Sequence, residues 1–106
     1  MLGRLAVDVA IYRDLVQVTE RKSGIFIDQR ADHPFSSDTQ LVADATRFEH
    51  ALSHALRQIL KTGAYMLYEP RAVVGPTDPA LTPPERALVR RVLQDTGFRR
   101  IEFEDE

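Results

Sequence analysis

Leu5-Ala6-Val7-Asp8-Val9-Ala10-Ile11-Tyr12-Arg13-Asp14-Leu15-Val16-Gln17-Val18-Thr19 is the stretch on which the fold turns. Leu5, Val7, Val9 and Ile11 alternate with Ala6, Asp8 and Ala10, the two-residue period of a strand with one large apolar face and one small face. A second apolar run begins at Leu15, after Tyr12-Arg13-Asp14, so the segment predicts a β-hairpin. Asp8 is the exception on the small face. Aspartate has poor strand propensity and has to be hydrated, hydrogen-bonded or paired with a cation, which makes it the first candidate functional residue.

Working outward, Glu20-Arg21-Lys22-Ser23-Gly24 reads as a charged turn and Gly24-Ile25-Phe26-Ile27-Asp28 as the third strand of a meander. Gln29 to Asp38 is rich in turn formers and reads as a loop, and Leu41-Val42-Ala43 as a short extended segment. Thr46-Arg47-Phe48-Glu49 matches a capping box with Thr46 as N-cap. Phe48, Leu52, Ala55, Leu56, Ile59 and Leu60 then recur at helical spacing, with Gly63 placed to cap the end. Tyr65, Met66, Leu67 and Tyr68 lie in a connection and read as core or interface filler. Arg71-Ala72-Val73-Val74-Gly75, between Pro70 and Pro76, predicts a parallel strand buried on both faces. Thr82-Pro83-Pro84-Glu85 is a second capping box, opening a helix that runs to Gly97. Ile101 and Phe103 mark a last strand.

The order β-β-β-α-β-α-β, joined by right-handed crossovers, predicts a mixed α/β sheet of strand order 3-2-1-4-5. That is the ribonuclease H-like topology, which also forms each half of actin-like ATPases. Asp8 then lies on the central strand near its carboxyl end, where such sheets hold ligands.

At 106 residues, 43% hydrophobic and 28% charged, the chain predicts one domain spanning 1–106. A net charge of -2 argues against a nucleic-acid coat, and the absence of cysteine excludes thiolate catalysis and disulfides. No apolar run reaches the roughly 20 residues of a membrane span, so the expected location is cytoplasmic. His50 and His54 have the i, i+4 spacing of paired metal ligands but fall on a polar helix face, and Arg90-Arg91 and Arg99-Arg100 read as solvated surface. A magnesium-dependent nuclease on this fold has only Asp8, Glu49 and Asp78 to draw on, and a helix cap and a turn already account for the last two.

Beyond these patterns, Val7-Asp8-Val9-Ala10-Ile11-Tyr12-Arg13-Asp14-Leu15-Val16-Gln17-Val18 resembles, without a gap, the first phosphate-binding hairpin of the bacterial actin family MreB. Gly24-Ile25-Phe26-Ile27, Leu41-Val42-Ala43-Asp44, Arg71 to Pro76, Pro84 to Arg91 and Thr96 to Ile101 are similar, in order, to later stretches of that family. The resemblance implies an actin-like lobe, a rod-shape or cytoskeletal setting, and a nucleotide site at the positions of Asp8, Ala10, Ile11 and Glu106. Two departures matter. Ala10 and Ile11 stand where the family has the glycine and threonine that wrap phosphate, and a branched apolar side chain offers phosphate nothing. The family's second lobe is not represented. The expectation is therefore a vestigial site without cofactor or metal, no nucleic acid ligand, and action through self-association as a homodimer or through a cell-shape protein partner.

Overall fold

The computed structural model describes residues 3–63 and 65–105. Five strands and two helices follow in the order β1 (Gly3–Tyr12), β2 (Leu15–Glu20), β3 (Phe26–Arg30), α1 (Ala45–Leu60), β4 (Tyr65–Val74), α2 (Pro83–Asp95) and β5 (Arg100–Phe103). The sheet order is β3-β2-β1-β4-β5, as the hairpin and crossover pattern predicts. β1 pairs antiparallel with β2 and parallel with β4; β2 pairs antiparallel with β3, and β4 parallel with β5.

The crossovers β3-α1-β4 and β4-α2-β5 step across the sheet in the same direction, and connections of one hand stepping one way land on one face. Both helices accordingly share one hydrophobic core with Val7, Val9, Ile11, Val16, Val18, Ala72, Val74 and Phe103. α1 packs over β2 and β3, and α2 contacts β5. The expectation that β4 is buried on both faces holds over Ala72-Val73-Val74: Ala72 and Val74 face the helices, and Val73, between Asp8 and Glu102 on the other face, is buried as well. Arg71, on the same face as Val73, is half-buried.

Local boundaries differ in instructive ways. The N-cap of α1 is Asp44, whose side chain accepts from the Arg47 N–H, so Thr46 lies inside the helix and Glu49 has no capping role. Gly63 does not cap α1; Lys61 does, with helical backbone angles. Leu41-Val42-Ala43 forms no strand, although Leu41 and Val42 are buried. β3 starts at Phe26, and β4 starts at Tyr65 and shifts register against β1 before Arg71. The Tyr65 side chain packs half-buried against the core; those of Met66, Leu67 and Tyr68 lie outside the described residues.

The predicted capping box of α2 is present: Thr82 accepts from the Glu85 N–H and Glu85 accepts from the Thr82 N–H. Its end is a Schellman closure. Phe98 N–H donates to the Leu93 carbonyl and Gly97 N–H to that of Gln94, with Gly97 at φ 110.

Candidate functional site

The face of the sheet without helices carries the odd residue singled out in β1. Alternation places Ala6, Asp8, Ala10 and Tyr12 there, and the register sets Asp8 between Thr19 of β2 and Val73 of β4. Phe26 and Glu102 extend the same row across the sheet, to β3 on one side and β5 on the other.

Asp8 is 40% exposed at its side chain, and its Oδ2 lies 3.4 Å from Nε of Arg21, in the turn after β2. Its Oδ1 is buried and accepts no hydrogen bond. One strand over, Arg71 makes a two-pronged pair with Glu102, Nε to Oε1 at 3.1 Å and Nη2 to Oε2 at 3.0 Å. That hydrogen bonding holds the Glu102 carboxyl below its ordinary range and raises Arg71 further. Arg21, Asp8, Arg71 and Glu102 thus alternate in sign across the open face. The sequence pattern singles out Asp8 alone; its arginine partner becomes visible only once the β1–β2 register is known.

The hairpin that resembles a phosphate loop is built otherwise. Ile11 is buried in the core, pointing away from the face that carries Asp8 and Ala10. Asp14, at φ 56, is tied into the loop between β3 and α1 through its backbone and its side chain. Its N–H donates to Ser36 Oγ at 3.1 Å, its Oδ1 accepts from the Ser36 N–H at 2.8 Å, and its carbonyl accepts from the Ala31 N–H at 2.8 Å. Arg13 reaches the Ser37 carbonyl at 2.6 Å. Glu106 lies outside the described residues.

The other candidates are dispersed. Glu49 lines a groove of about 630 Å³ on the helix side, with Leu5, Leu56 and Phe98. Asp78 is exposed in the loop before α2. His50 and His54 have ring centroids 4.8 Å apart, and His50 Nε2 is 3.5 Å from Asp32. Among the described residues, no group of three His, Cys, Asp or Glu side chains is placed to hold a metal ion.

Two carboxylates are nearly buried, Glu20 at 3% and Glu85 at 4% exposure; the sequence marks Glu85 only as the capping-box glutamate of α2 and Glu20 only as part of a charged turn. Glu20 accepts from the N–H groups of Lys22 and Ser23, closing the turn after β2. Glu85 accepts from Thr82 and, at 2.9 Å, from the Val42 N–H, tying α2 to the loop before α1. Burial alone raises both carboxyls, and the donors outweigh it, so both are held below the ordinary 4.5. Both are structural acceptors.

No helix among the described residues is long and apolar enough to cross a membrane. No protein-family model matches the chain, and a search of curated proteins finds no match.

Proposed function

We propose that this chain is a non-catalytic, actin-like lobe of MreB type that acts by binding protein, either a second copy of itself or a cell-shape partner in the cytoplasm. The observation that carries this reading is the state of the first hairpin. Where an actin-like site needs free turn amides and a hydroxyl, the Asp14 N–H is spent on Ser36 and Ile11 is turned into the core. The sheet order supports the ribonuclease H-like assignment, and the uncovered face supports association. That face leaves Phe26 57% and Tyr12 53% exposed beside small residues, the kind of surface that protein contacts cover.

The test is thermal unfolding with and without magnesium-ATP and magnesium-ADP. A native-state ligand at 100 times its Kd stabilises by about 2.7 kcal/mol, which in a domain of this size is a rise of roughly 10 °C. No shift at millimolar nucleotide is expected. A rise of several degrees, or nucleotide hydrolysis that disappears in Asp8→Asn, would overturn the reading.

A further inference from the structure

The sheet has two edges, and they are treated differently. Along β5, Arg90 of α2 donates to the Ile101 carbonyl at 3.4 Å, and the Arg86 and Arg90 guanidiniums sit over the Phe103 ring at 5.4 and 5.1 Å. A helix thus covers that edge. Along β3, the Ile25 carbonyl accepts from the Glu20 N–H at 2.8 Å and the Ala31 N–H donates to the Asp14 carbonyl at 2.8 Å. Odd-numbered residues of β3 therefore turn their backbone groups toward β2. Alternation turns those of Phe26, Asp28 and Arg30 outward, with their exposed side chains on the open face.

We propose that β3 pairs antiparallel with β3 of a second copy, about a two-fold axis at Gln29, joining two sheets into one. The partner follows from charge. With the faces matched, the outward residues Phe26, Asp28 and Arg30 have to oppose one another. Centring the axis on Asp28 sets aspartate against aspartate, centring it on Arg30 sets arginine against arginine, and centring it on Ile27 sets Phe26 against Asp28. Centring on Gln29 sets Asp28 against Arg30 of the second copy, twice by symmetry, and Ile27 against Ala31, with Phe26 facing Asp32 beyond the end of the strand. Within Phe26–Arg30, that register alone sets unlike charges against each other.

Two features limit the strength. The Gln29 side chain already donates to the outward Arg30 carbonyl at 2.9 Å and has to move aside. Arg57 of α1 and its capping residue Lys61 bound a hollow beside Ile27, so two copies bring like charges near the seam on the helix side. The dimer is therefore concentration-dependent rather than obligate.

This deepens the self-association arm of the proposed function and rests on it. Sedimentation velocity over a concentration series of the full chain tests it, using Asp28→Arg, Arg30→Asp and the double exchange, with circular dichroism confirming that each is folded. Each single reversal replaces two attractive cross-strand pairs by two repulsive ones and weakens the dimer about tenfold. The double exchange regenerates the pairs and returns the dissociation constant to within about threefold of the wild type. A monomer at every concentration overturns the pairing while leaving the nucleotide result to judge the non-catalytic reading. A dimer indifferent to all three variants also overturns it, because the contact then lies elsewhere.

Discussion

Asp8 is kept at a cost. Its Oδ1 is buried without a donor, a deficit of roughly 1–3 kcal/mol, and its ion pair with Arg21 is 40% exposed on both sides, worth about 1 kcal/mol or less. Its flanking side chains are Ala6, Ala10, Thr19 and Val73, among which a valine fits a strand better than an aspartate does. Asp8→Val is expected to leave stability unchanged or raise it by up to about 1 kcal/mol, read as a higher urea midpoint at constant m-value. A loss above about 2 kcal/mol would make Asp8 a structural residue. The sequence exposes this tension at once, because within Leu5–Ile11 Asp8 is the one charged residue on a strand face otherwise made of Ala6 and Ala10. It shows the capping role of Glu85 but hides the burial of Glu20 and Glu85, which sit in segments where acids are ordinary and accept from partners either too local or too distant to form a periodic signal.

At the scale of elements, the meander and both crossovers are legible because short connections and crossover handedness leave few arrangements. The side of the sheet that each helix covers follows from the same rule once direction is tracked along with order. The start of α1 is misread for a different reason. Asp44 and Thr46 are both good caps, and the glutamate three residues after Thr46 imitates a capping box, whereas Asp44 needs only the Arg47 N–H that it receives at 3.0 Å. The two assignments separate cleanly by mutation. Asp44→Ala is expected to cost about 1 kcal/mol, and Thr46→Ala, exposed in the first turn, to stay within about 0.5 kcal/mol. Equal losses would return the cap to Thr46. β4 resists reading because Pro70 and Glu69, at φ 49, interrupt it just where its register against β1 shifts.

For the whole molecule, the depressed carboxyls set the acid limit of stability. Glu20 and Glu85 are held below 4.5 when folded, so the unfolded chain binds protons more readily. Their contribution is complete above the unfolded value and is lost as the pH falls through the lower folded values. Glu102 and Asp105 are lowered by hydrogen bonds from Arg71 and Arg86 and act in the same direction, but at exposed sites where salt screens them. The urea midpoint is therefore expected to hold flat from pH 7 to about 6 and to drop below about pH 5, with added salt removing only part of the slope. Glu85→Gln isolates the buried share, since it keeps the shape and one acceptor while removing the charge that Val42 and Thr82 address. It is expected to be less stable than the wild type by about 1–3 kcal/mol at pH 7 and to converge with it at acid pH, where the native carboxyl is itself protonated. A gap that stays constant down to pH 3 would assign the loss to packing, and the tie between α2 and the loop before α1 would then owe nothing to charge.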